Sequence, residues 1–263
     1  MSTLMMKLLF AFLWINFLTA CATSPTGRTQ LVFMPDTEVN SMGLQAFDTL
    51  KREKQISHDA VSNRFVSCVA SAITREVGGE WEVVVFKDQS LNAFALPGGK
   101  IGVHTGLLNL VDNQDQLAVI IGHEVGHVMA RHSNERLSQQ VGTNLGISLV
   151  QAVAAPQSTL GQTAIGLLGI GAQYGIIMPY SRLQESEADM IGLDLMAKAG
   201  FNPSESVKLW QKMEQASQDA PIEFLSTHPS HASRIQNLQA YLPKAQQLQK
   251  QANIAGKNPH CTK

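Results

Sequence analysis

The chain has no surplus of positive charge: 20 Lys and Arg stand against 21 Asp and Glu, for a formal net charge of −1. Nucleic-acid binding calls for basic residues in excess to neutralise phosphates, so that class of function is excluded. Long apolar runs are missing as well. Residues 137–181 hold no Asp, Glu, Lys or Arg across 45 positions, but Gln139, Gln140, Gln151, Gln157, Gln162 and Gln173 interrupt them and Gly or Pro recurs. No stretch there reaches the ~20 predominantly apolar residues of a membrane span. A hairpin of flexible, apolar helices beside the functional site is expected, with a docking face or a gating lid as the other readings. Internal repeats are absent, and cysteine is confined to Cys21, Cys68 and Cys261.

The first twenty residues, MSTLMMKLLFAFLWINFLTA, carry Lys7 and then an apolar core from Leu8 to Leu18 interrupted only by Asn16. This is the pattern of a secretion signal, too short to span a bilayer stably. Leu18-Thr19-Ala20-Cys21 resembles the lipobox of bacterial lipoproteins, so residues 1–20 are expected to be a signal peptide and Cys21 the lipidated first residue of the mature chain. Ala22 is not the aspartate that favours inner-membrane retention in such signals. The resemblance therefore implies an outer-membrane lipoprotein facing the periplasm of a Gram-negative bacterium, anchored to the membrane by lipid and not spanning it. An ordinary secreted protein with a chance cysteine is the competing reading.

From Cys21 onward 243 residues remain, with 19 basic and 21 acidic side chains, enough for one large domain or two small ones. Residues 21–35 mix Pro, Gly, Ser and Thr in the manner of a tether. A single domain is expected over 36–243, with a solvated, Gln-rich extension over 244–263. With Cys21 lipidated, Cys68 and Cys261 form an even pair in a compartment that permits disulfides. A bridge and two free thiols both remain open, because spacing says nothing about geometry.

The expected fold is α+β, mainly helical, with a small antiparallel sheet. Helical periodicity covers 36–54 and 59–77. Trp81 to Phe86 (WEVVVF) is rich in β-branched residues and reads as a strand. A second strand over 92–96 turns at Pro97-Gly98-Gly99 into a third over 100–105. A long helix starts at 112–114 with Asp112 or Asn113 as its cap. Further helices are expected from Arg182 to about Ala199, from 202–204 to Gln215, and from about His231 to Tyr241.

The long helix carries IIGHEVGHVMARH. His123 and His127 are four residues apart, so both imidazoles project from one helix face, a spacing that lets two nitrogens bind one zinc ion. Glu124 stands beside them, placed to accept a proton from water. An amphipathic helix with incidental polar residues is the alternative. Gly122 and Gly126 are also four apart, and each costs about 1 kcal/mol relative to alanine in a helix interior. They point to close approach by another backbone, either as ordinary helix packing or as a feature tied to the site. His132 fails the HExxHxxGxxH spacing, which would need Gly at Ala130 and His at Ser133. It reads as a surface residue or one behind the ligands.

A catalytic zinc needs a third protein ligand. Glu185 and Asp189, in SRLQESEAD, are again four apart, so a second helix can offer one carboxylate to the metal and the other to the free ring nitrogen of a ligand histidine. Glu187 points to a different face and competes less well. Leu183, Ala188, Ile191 and Leu195 make this helix partly buried, which weakens the reading of a solvated acidic face.

HEVGH and SRLQESEAD, preceded by NAFALPGGKIGVHTGLL and followed by THPSHASRI, resemble the HtpX and CAAX prenyl protease family of zinc metallopeptidases, metallopeptidase family forty-eight. The similarity is to its Oma-type bacterial lipoprotein branch, and the motifs occur in order across about 61–241. The resemblance implies a gluzincin-like domain with one Zn2+ per chain held by His123, His127 and Glu185. It implies Glu124 as general base, Asp189 behind the ligands and Arg234 as a brace. His228 matches a histidine that holds some relatives latent and helps stabilise the transition state in others. Asn92, Ala93, Phe94, Ala95 and Leu96 read either as an edge strand to which an extended peptide adds in β fashion or as a core strand. The chain lacks the several spanning helices of the family's integral-membrane members, which argues for a periplasmic target over prenyl proteins. The expected activity is endopeptidase cleavage of misfolded or misassembled envelope proteins, with outer-membrane assembly machinery as a further partner. The rival expectation is a chaperone or assembly factor with a structural zinc.

Overall fold

The computed structural model describes residues 21–154, 180–219, 222–229 and 233–263. The expected signal peptide (1–20), the Cys21 side chain, the return arm of the hairpin expected over 137–181, and His231 lie outside what is described. The chain divides into two compact units, one formed by Met1–Asp36 and Arg131–Met178, the other by Thr37–Ala130 and Pro179–Lys263.

In the first unit, β1 (Cys21–Thr23) pairs antiparallel with β2 (Thr29–Leu31). Gly27 takes the positive φ, 90°, that the connecting turn requires. The Arg28 guanidinium donates two 2.7 Å hydrogen bonds to the Glu135 carboxylate on α5 (His132–Ala154). Ser138 Oγ on the same helix accepts from the backbone N–H groups of Phe33 and Met34. The stretch read from composition as a tether thus contains a hairpin and packs against α5. Ser24, Gln30 and Val32 are buried there, and such contacts cannot be read from a Pro, Gly and Ser count.

The second unit opens with α1 (Asp36–Glu53) and α2 (Ala60–Arg75). Asp59 caps α2 by accepting from the Ser62 N–H, and Phe65, Val66, Val69 and Ile73 form the buried stripe of that helix. The sheet that follows contains β3 (Glu82–Phe86), β4 (Ala93–Leu96) and β5 (Lys100–His104) in the order β3-β5-β4. β4 and β5 form the expected hairpin, with positive φ at Gly98 and Gly99. β3 instead pairs parallel with β5, Glu82 opposite Lys100 through Phe86 opposite His104. The sheet is thus mixed and not antiparallel throughout: after the chain reverses between β3 and β4, β5 inserts between them and leaves β4 at the edge.

Short α3 (Thr105–Leu110) leads into α4 (Gln114–Met129), whose N-cap is Asn113, accepting from the N–H groups of Asp115 and Gln116. α6 (Arg182–Lys198) starts with a reciprocal Ser181–Gln184 capping box, and Gly200, at φ 96°, follows its end. A Cβ added to Gly122 would stand 2.8 Å from the Gly192 carbonyl oxygen, and one added to Gly126 2.8 Å from that of Ala188. The two readings of these glycines are one: α4 and α6 meet backbone to backbone, and that contact sets Glu185 and Asp189 opposite His123 and His127. Leu183 lies on the outward side, 69% exposed, against its expected burial.

α7 (Glu205–Asp219), α8 (Glu223–Thr227) and α9 (Arg234–Ile254) complete the unit. α9 carries Pro243 internally and continues through the region read as a solvated extension. Ala245 and Ala252 are buried and Leu248 packs on the core, a stripe at helical spacing that the glutamines between them obscure.

Beyond α9 the tail is bonded to α2 through a Cys68–Cys261 disulfide across 193 residues of sequence. Gln114 holds it too, accepting from the Cys261 N–H and donating to the Pro259 carbonyl. Cross-linking so long a loop restricts the unfolded chain, so replacing both cysteines by alanine is expected to cost about 2–5 kcal/mol. Urea unfolding of the double variant checks this; a midpoint equal to that of the parent would show that the bridge contributes nothing.

Candidate metal centre

The i, i+4 spacing on α4 brings His123 and His127 together with their Nε2 atoms 3.0 Å apart, both rings buried. Glu185, in the first turn of α6, places Oε2 3.4 Å from His123 Nε2 and Oε1 3.3 Å from His127 Nε2. Just past α8, His228 contributes Nδ1, 3.2 Å from His123 Nε2 and 3.1 Å from Glu185 Oε1. One ligand atom from each of these four buried residues lies within 4.8 Å of the other three.

Four ligands held ~2.0–2.2 Å from one tetrahedral zinc ion stand about 3.3–3.6 Å from each other. The separations of 3.0 to 3.4 Å are close to that spacing and suit a single small cation with nitrogen and oxygen donors. The electrostatics agree. Burial alone would depress His123, but the Glu185 charge and the Asp189 hydrogen bond hold it up to about 9. Burial pushes His127 well below its ordinary value. Burial would raise Glu185, yet the charge of and hydrogen bond from His123 hold it far below the usual carboxylate range. Glu185 is thus held ionised and His127 neutral, the forms in which a carboxylate and an imidazole bind a metal.

Asp189, one turn beyond Glu185, has Oδ1 3.0 Å from His123 Nδ1 and orients that ring. Burial would raise its pKa, and the Arg234 charge outweighs this and lowers it. Arg234 is fully buried and forked, donating to Glu185 Oε2 at 2.9 Å and to Asp189 Oδ1 at 2.7 Å. Glu187 is buried but is not among the four clustered residues. His132, read as surface or close behind the ligands, is fully buried at the start of α5 in the first unit and is not in the cluster either.

Glu124 is buried beside the cluster, and burial pushes its pKa up. Its Oε2 accepts the Ala95 N–H of β4 at 3.3 Å. Its Oε1 is 3.4 Å from His228 Nε2 and makes no hydrogen bond among the described residues. The Asn92 carbonyl accepts from His104 N–H on the β5 side. Alternation along the strand then turns the Ala93 and Ala95 backbone groups away from β5, where the Ala95 N–H meets Glu124.

Three aromatic neighbours escaped the sequence reading. Tyr180 stacks on His127 with ring centres 3.9 Å apart, Phe224 stacks on His228 at 4.4 Å, and Trp210 of α7 lies 3.4 Å from Arg234 Cζ. Tyr180 directly precedes the SRLQE motif and was findable by adjacency. Nothing local marks Trp210 or Phe224.

An HExxH helix, a carboxylate from a second helix, and an edge strand beside the glutamate define a zinc metallopeptidase domain. Residues 56–242 match the model of Peptidase family M48, and the chain belongs to that family. It is 39% identical to the Mitochondrial metalloendopeptidase OMA1 of Schizosaccharomyces pombe, over 64% of this chain and 48% of the relative. It is 30% identical to the human Metalloendopeptidase OMA1, mitochondrial, over 93% of this chain and 50% of the relative. A Putative beta-barrel assembly-enhancing protease of Vibrio cholerae is 32% identical over 71% of this chain and 40% of the relative. The chain thus spans about half or less of these curated relatives.

Proposed function

We propose that the protein is a zinc-dependent endopeptidase, anchored to the outer membrane through Cys21, that hydrolyses peptide bonds of misfolded or stalled envelope proteins on the periplasmic side. The observation that carries the catalytic reading is Glu124: a buried carboxylate with a hydrogen-bond-free oxygen beside four converging donors. The signal-like N-terminus supports the location, and the name of the Vibrio cholerae relative supports an envelope client and contact with β-barrel assembly. Among the described residues, no helix is long and apolar enough to cross a membrane.

His123, His127 and Glu185 would hold the ion. When bound, zinc supplies Lewis acidity, polarising the scissile carbonyl and making a water acidic near neutral pH. Glu124, its pKa raised by burial, takes the water proton and returns it to the leaving amine. The β4 edge turned away from β5 binds an extended peptide through the main-chain groups that Glu124 does not engage, demanding little of its sequence. Asp189 fixes the His123 ring, and Arg234 neutralises the carboxylates behind it.

His228 Nδ1 sits where a fourth ligand would, and its Nε2 faces Glu124. As a fourth donor there, His228 restrains the enzyme by filling the position that a reacting water would take. A closed four-donor set is also what a structural zinc site looks like, which keeps a chaperone or assembly factor as the second reading. An unfolded outer-membrane β-barrel polypeptide, incubated with parent, His228→Ala and His228→Asn proteins, separates these. Chelator-sensitive cleavage is expected, several-fold faster in the variants. No chelator-sensitive cleavage in any of the three would contradict the protease; unchanged or slower cleavage in both variants would contradict latency.

A further inference from the structure

We infer that Trp210 is a positioning residue for the metal centre, acting through Arg234 to set how Glu185 presents itself to the ion. This rests on the zinc reading of the site. Trp210 is buried on α7 with the Arg234 guanidinium carbon over its indole face, Cζ 3.4 Å from the ring centre. The indole also meets His123 edge to face at 6.2 Å.

Arg234 has two carboxylates within reach and divides its terminal nitrogens between them, Nη1 to Glu185 Oε2 and Nη2 to Asp189 Oδ1. That leaves Glu185 Oε1 facing His127 and His228. A guanidinium free to turn would do otherwise, because its planar fork pairs best with both oxygens of one carboxylate. Taking Oε1 as well as Oε2 would withdraw Glu185 from the metal. The indole face fixes the plane that prevents this.

The test measures zinc affinity by chelator competition, together with the visible spectrum of the cobalt-substituted protein, in the full chain. Trp210→Leu removes the ring face and is expected to weaken zinc binding by about 10- to 100-fold, the range for residues behind metal ligands. Trp210→Phe keeps a ring face and is expected to stay within about threefold of the parent. In an Arg234→Gln background, Trp210→Leu is expected to cause no further loss, since the two residues act as one. If the leucine variant does not fold, Trp210→Met replaces it, keeping apolar bulk without a π face. Parental affinity and an unchanged cobalt spectrum in Trp210→Leu or Trp210→Met would overturn the proposal, as would an equal loss in the Arg234→Gln background. A parent protein that takes up no zinc would instead overturn the metal reading itself.

Discussion

Glu124→Gln is expected to lower kcat by about 10²- to 10⁴-fold, the contribution of a positioned general base, while the protein still binds one zinc ion per chain. Glutamine has the shape of glutamate but cannot take up a proton. It can still accept the Ala95 N–H through its carbonyl oxygen, so the contact between α4 and the edge of β4 survives. The cost of burying a carboxylate, which raises the pKa of Glu124, disappears in the amide. Stability is therefore expected to hold or rise slightly, and lost activity cannot be ascribed to unfolding. Single-turnover cleavage and metal analysis of the same sample check both halves. Full activity in the zinc-loaded variant would remove Glu124 from the mechanism.

Glu185→Gln is expected to weaken zinc binding by at least about 100-fold, beyond what residues behind the ligands contribute, whereas Glu187→Gln is expected to leave it unchanged. Glu185 belongs to the four clustered residues, its oxygens 3.3 and 3.4 Å from the histidine nitrogens, and Glu187 does not. Its loss also strips Arg234 of one of its two buried carboxylates. Removing one partner of a buried pair costs about 3–5 kcal/mol; Asp189 remains to Arg234, so a drop toward the lower end is expected. Zinc titration and thermal unfolding of the two variants give the answer. Full zinc affinity in Glu185→Gln would overturn the ligand assignment.

What could be read from the sequence was local. The i, i+4 pairs His123/His127 and Glu185/Asp189 announce their helix faces, and Pro97-Gly98-Gly99 announces a hairpin, because each pattern is complete within a few residues. Gly122 and Gly126 signalled a close neighbour without naming it; only the fold supplies Ala188 and Gly192. The parallel pairing of β3 with β5 depends on which strand is inserted between two others, which no periodicity records. The same holds for the N-terminal hairpin, whose partners on α5 lie more than a hundred residues away. It holds for Trp210, whose role appears only once Arg234 is seen on its face. The THP histidine was visible as part of a motif, but its contacts with both Glu124 and Glu185 were not.

The central claim is that this buried centre destroys envelope proteins. Pulse–chase proteomics in cells carrying either the parent protein or Glu124→Gln, at equal abundance, tests it most directly. A defined set of envelope proteins is predicted to persist longer in the Glu124→Gln cells. Identical half-lives for every protein in the two strains would contradict the account.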